Sequence, residues 1–134
     1  MQSHQKECEN LSLQTLINKS LLCSSTAAHK NKTVVINSVH PGIYINPASH
    51  RVIPVITELL EAVVGNAKNS EICITAERFR EVVILQVQDM HNNNGYALGF
   101  SLQAIEKEAM DAGAFIQFKD QQHRIATVSL SFSN

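Results

Sequence analysis

A β-rich run, Val82–Gln88, ends on Asp89, and the residues after it decide what chemistry this chain can do. His91-Asn92-Asn93-Asn94-Gly95 is turn chemistry, and Gly95-Tyr96-Ala97-Leu98-Gly99-Phe100 then opens a helical run. A carboxylate at a strand end followed by a Gly-bearing turn at a helix N-terminus is how several folds hold a nucleotide. The carboxylate reads the base, while backbone N–H groups and the helix dipole receive phosphate. Each residue also has a plainer reading. Asp89 before a turn forms an Asx-turn, Gly95 after three Asn supplies a left-handed turn residue, and Gly99 lets a helix start pack tightly.

Other chemistries find little support. Three cysteines, Cys8, Cys23 and Cys73, are odd in number and form no CxxC pair, so neither zinc nor a disulfide framework is expected. His4, His29, His40, His50 and His123 are too scattered for a metal-ligand pattern, and no metal site is assigned. A net charge of −1 gives no basic face for nucleic acid or an anionic membrane. Met1–Asn10 is polar with no apolar h-region, and the longest apolar runs fall short of a membrane span. The expectation is a cytoplasmic domain with reduced thiols. Its 44% hydrophobic and 17% charged residues are globular values.

The elements that must position Asp89 and Gly95 follow from periodicity. Leu13, Leu16, Ile17 and Leu21 recur at helical spacing, with Asn10 or Ser12 as N-cap; this helix fades through Ser24-Ser25-Thr26 or continues to about Ala28. Short strands are expected at Thr33–Ile36 and Ile43–Ile45. A second helix, capped by Ser49, begins shortly before Pro54 and lays Val52, Ile56, Leu59, Leu60 and Val63 on one face. Ile72–Glu77 and Val82–Gln88 form a hairpin through Arg78-Phe79-Arg80-Glu81. Leu98, Leu102, Ile105 and Ala109 define a third helix, with Gly113 as its left-handed cap; Ala114–Phe118 and Ile125–Phe132 are closing strands. The order α-β-β-α-β-β-α-β-β predicts a two-layer α/β sandwich, a mixed sheet covered on one face by three helices.

That order resembles the Bergerat fold, and in particular the ATP-binding catalytic domain of sensor histidine kinases, over about Leu11 to Phe132. Leu11-Ser12-Leu13-Gln14-Thr15-Leu16-Ile17 is similar to the family's leading helix. Arg51 to Val63 aligns without a gap with its N-box helix. In this frame, preferred because it keeps the spacing to the strand at Ile72, Glu58 matches a position that is a water-activating carboxylate in ATP-hydrolysing relatives. Ala62 then falls on the Mg²⁺-binding Asn. Sliding the frame one turn instead makes Asn66-Ala67-Lys68 the NAxK segment and leaves Ala62 at the first polar position. Asp89 matches the adenine-binding Asp of DxGxG, with His91 and Asn93 replacing its glycines. Gly95 to Phe100 resembles the phosphate turn GxGLGL, with Gly95 and Gly99 kept and Ala97 in place of the middle glycine. Between these two boxes the family carries a mobile lid; here only Met90 to Asn94 remain.

The resemblance implies residues 1–10 as a polar lead-in and residues 11–134 as the ATPase-like domain. It implies an ATP site on Asp89, Gly95, Gly99 and Asn66, with Glu58 as catalytic candidate and Mg²⁺ as companion ion. The missing lid, glycines and N-box residue point to a degenerate member that acts by protein contact in a two-component or phosphorelay system. The alternative is an active module phosphorylating a separate histidine-bearing partner. The helices that carry the phosphoaccepting His would lie upstream of Leu11, so the chain is not expected to be a complete kinase. A sandwich unrelated to signalling is the third reading.

Overall fold

The computed structural model describes residues 11–120 and 122–134. The expected lead-in, with Cys8, His4 and the candidate cap Asn10, lies outside the described residues. Leu11–Ser12 (β1) leads directly into Leu13–Leu22 (α1), which Ser12 caps by accepting the Thr15 N–H at 3.5 Å. The helix stops at Leu22: Cys23 and Ser24 turn the chain, and Ser25–Lys30 forms a short separate helix, α2. The Ser25 hydroxyl takes the Leu22 carbonyl at 3.0 Å, the local competition by which serines interrupt helices.

Val34–Asn37 (β2) joins the main sheet, whereas Tyr44–Ile45 (β3) pairs antiparallel with β1 in a two-stranded sheet of its own. Ser49 is not the cap of the next helix. It sits in a 3₁₀ turn, Pro47–Ser49, and its hydroxyl donates to the Ser133 carbonyl at 2.9 Å. Val52–Asn66 (α3) starts after Arg51, so Pro54 falls in the first turn, where its missing N–H costs nothing.

Glu71–Phe79 (β4) and Val82–Asp89 (β5) run further than their apolar cores suggest and meet at a two-residue turn, Arg80-Glu81, with Arg80 at φ 57°. Gly95–Asp111 (α4) ends at Ala112, and Gly113 takes the left-handed conformation at φ 79° that closes helices. Ala114–Lys119 (β6) and Ala126–Ser133 (β7) complete a five-stranded sheet of order β2-β4-β5-β7-β6. Among the described residues, only the β2–β4 pair of this sheet is parallel.

Side-chain alternation sorts the sheet into two faces. Ile72, Ile74, Val83, Leu85, Val87, Val128, Leu130 and Phe132 point into the core. They meet Ile56, Leu59, Leu60 and Val63 of α3 and Leu98, Leu102 and Ile105 of α4. Thr75 and Gln86 lie exposed on the other face. The alternation that buries Val83, Leu85 and Val87 continues to Asp89 and puts its carboxylate on the helix side. Among the described residues no helix is long and apolar enough to cross a membrane.

Candidate functional site

Asp89 sits opposite Ile72 in β4 and Ala126 in β7, and only 3% of its surface is exposed. A carboxylate at that depth must be given donors. The Ser70 hydroxyl donates to Asp89 Oδ1, and the His91 N–H donates to the same oxygen at 3.1 Å. The second bond closes an Asx-turn, the plainer of the two readings of this residue. The His91 N–H also reaches Ser70 Oγ at 3.1 Å, so Ser70, Asp89 and His91 form a closed triangle.

Residues 90–94 are the whole connection from β5 to α4. The Met90 N–H donates to the Glu71 carbonyl at 2.9 Å. Asn92 binds the β6–β7 turn twice, its N–H to the Arg124 carbonyl at 2.7 Å and its Nδ2 to the His123 carbonyl at 3.0 Å. Arg124 Nε in turn donates to His91 Nδ1 at 3.3 Å, and Gln122 Nε2 to the Tyr96 hydroxyl at 2.6 Å. In place of a lid, the chain has a short strap fastened to the neighbouring turn.

The first intrahelical bond of α4 runs from the Leu98 N–H to the Asn94 carbonyl at 3.1 Å, so the N–H groups of Gly95, Tyr96 and Ala97 precede it. Gly99 does not belong to that set. It lies one turn inside α4, where its N–H is part of the helical ladder, and it lines a groove with Leu102, Gln103, Glu106, Ile116 and Phe118. Gly99 therefore contributes no free N–H at the start of α4.

Asn66, the last residue of α3, gives its Nδ2 hydrogens to the Ala62 carbonyl at 2.8 Å and Ser101 Oγ at 3.1 Å. Ser101 itself donates to the Ala97 carbonyl at 3.2 Å, which ties Asn66 to the first turns of α4. Its remaining polar atom, the carbonyl oxygen, is the kind of hard donor Mg²⁺ takes.

Glu58 is elsewhere. Two turns upstream, it faces Glu108 near the C-terminal end of α4; burial, the hydrogen bond and charge of Glu108, and the charge of Glu61 together raise its pKa. α3 and α4 run antiparallel, so Glu108 lies roughly 20 Å along α4 from Gly95 at 1.5 Å per residue. Glu58 therefore lies away from Asp89, whereas Asn66, the polar residue of the alternative frame, reaches the first turns of α4. Among the described residues no three His, Cys, Asp or Glu side chains gather as a metal site.

Asp89 and Gly95 thus lie at the start of α4 and Asn66 reaches Ser101 further along it, while Gly99 faces the groove beside β6 and Glu58 faces Glu108. Ser70, Ser101 and Arg124 were not singled out from sequence. Ser70 was within reach: a two-residue turn at Arg80-Glu81 puts Ile72 opposite Asp89, and two residues further out Ser70 meets His91.

No protein-family model matches the sequence, and no curated protein matches it significantly. Solved structures do match. The Acinetobacter baumannii histidine kinase AdeS aligns with a TM-score of 0.73 at 15% identity, over 93% of this chain and 66% of that chain. The catalytic domain of histidine kinase ThkA aligns at 0.69 and 16%, over 92% and 93%. ThkA also matches in its complex with the response regulator protein TrrA. Full-length ShkA in complex with AMPPNP aligns at 0.65 and 12%, over 92% of this chain and 30% of that one. The chain has the histidine kinase-like ATPase fold, that of the catalytic domains of sensor histidine kinases.

Proposed function

We propose that residues 11–134 are a histidine-kinase-type catalytic domain of two-component signalling that has kept the fold, lost effective ATP use, and acts by binding a protein partner. The observation that carries this reading is Asp89. Its Oδ1 is taken by Ser70 and His91 within an Asx-turn, under a strap of residues 90–94 fastened to Asn92's carbonyl partners in the next turn. Phosphoryl transfer depends on positioning and on neutralising phosphate charge with metal and donors. Ala62 offers no ligand at the first N-box position, and Arg124, in the turn that anchors the strap, donates to His91 Nδ1. These residues do not fit a magnesium-bound triphosphate. The partner is a response regulator or a phosphorelay helix pair, by analogy with the ThkA–TrrA complex. Titrating a fluorescent ATP analogue with and without Mg²⁺ tests the reading: no metal-dependent binding is expected, and tight metal-dependent binding contradicts it. Failure to bind any member of a panel of receiver domains and dimerisation-helix fragments would remove the partner half.

A second reading is supported by one observation, the side-chain amide of Asn66 held by the Ala62 carbonyl and Ser101 Oγ, which leaves its carbonyl oxygen to accept or to bind a cation. On that reading Asn66 would hold Mg²⁺, Asp89 and Gly95 would hold ATP, and the module would phosphorylate a separate histidine-bearing protein. The same titration separates the two.

A further inference from the structure

The solvent pole of α4 carries large apolar side chains where an amphipathic helix normally carries charge. Leu98, Leu102, Ile105 and Ala109 are buried. At 100° per residue, Tyr96, Phe100, Gln103 and Lys107 fall on the opposite side. Phe100 is 75% exposed and Tyr96 65%.

Beside this ridge runs the groove lined by Gly99, Leu102, Gln103 and Glu106, with Ile116 and Phe118 of β6 along it. Those four helix positions are i, i+3, i+4 and i+7, the set that makes the hole receiving a knob when two helices pack. Gly99 adds no side chain to fill the hole. The knob Phe100 and the hole are therefore neighbours on one helix surface.

We infer that α4 is a self-association face, on which a second copy of this chain packs antiparallel and seats each Phe100 in the other's Gly99 groove. A knob and a hole side by side are what a two-fold axis across α4 requires, because an isologous contact uses one patch twice. The register that puts Phe100 opposite Gln103 also puts Lys107 opposite Tyr96, an ammonium over an aromatic ring. One helix crossing is smaller than a standard interface of about 1,200–2,000 Å², so the dimer is weak and concentration-dependent. Nothing in this inference rests on the nucleotide reading, since it uses the outer face of α4 and not Asp89 or Asn66.

Sedimentation equilibrium of the full chain from about 10 µM to about 1 mM tests it, a range that brackets weak dimers. The expected result is a monomer–dimer equilibrium that Phe100→Ser weakens at least about tenfold, as loss of a central aromatic anchor does. Lys107→Glu weakens it about threefold or more. Both side chains are exposed, so thermal melting by circular dichroism stays unchanged in each variant. A chain that is monomeric throughout, or a dimer whose constant is the same in Phe100→Ser, overturns the inference.

Discussion

Ser70 and Asp89 meet side chain to side chain at the buried end of the β4–β5 hairpin, the serine hydroxyl donating to the carboxylate. A charged acceptor at 3% exposure depends on such donors. Ser70→Ala should therefore cost about 1–3 kcal/mol in urea unfolding, the range for a charge-assisted bond lost in a buried setting. A variant as stable as the parent would show that water replaces the hydroxyl and that Asp89 is open to solvent.

Glu58 gives a pH-dependent prediction whose sign is set by its raised pKa, caused by burial first and then by Glu108 and Glu61. The folded chain holds this proton more tightly than the unfolded one, so ionisation works against folding. The contribution is fully present below the ordinary value of 4.5 and is lost as pH rises through the folded pKa. Glu58→Gln should accordingly stabilise the protein at pH 7, by about 0.5 kcal/mol given solvent screening of a partly exposed group. The advantage should close below about pH 4.5. Denaturation at pH 7 and pH 4 checks both halves.

Gly113 stands at φ 79° where α4 hands over to β6. Gly113→Ala places a Cβ in the left-handed region and should cost about 1 kcal/mol, read as a lowered melting temperature. An unchanged melt would mean that the turn relaxes to another conformation.

Much of this fold is legible in the sequence, because its helices and inner strands are strongly periodic. The Leu98-Leu102-Ile105-Ala109 spacing and Gly113 define α4 to its cap, and the alternation in Val128, Leu130 and Phe132 defines β7. Boundaries were harder where local chemistry gave no sign of tertiary partners. The hairpin runs through Arg78 and Phe79 because eight cross-strand pairs from Ile72 to Phe79 hold it, while the residues themselves read as a turn. Ser49 reads as a cap, but its hydroxyl finds the Ser133 carbonyl across the fold.

The candidate site was legible in part for a geometric reason. Asp89 and Gly95 read as a strand end and a helix start, and Asn66 comes only from the resemblance, in the frame that is not preferred. Glu58 and Gly99 required knowing how far along an element a residue lies. The antiparallel crossing of α3 and α4 sends Glu58 to Glu108, and the start of α4 at Gly95 puts Gly99 a full turn inside it.

The central claim is that Asp89, which the resemblance puts at the adenine position, is committed to Ser70 and His91, so that ATP is not held effectively. The most direct measurement is a ¹H–¹⁵N spectrum of the labelled chain recorded while Mg²⁺ and ATP are added to millimolar levels. The account predicts that the amides of His91, Gly95, Tyr96 and Ala97 stay where they are. Saturable, magnesium-dependent shifts at those four amides, abolished by Asp89→Asn, would contradict it.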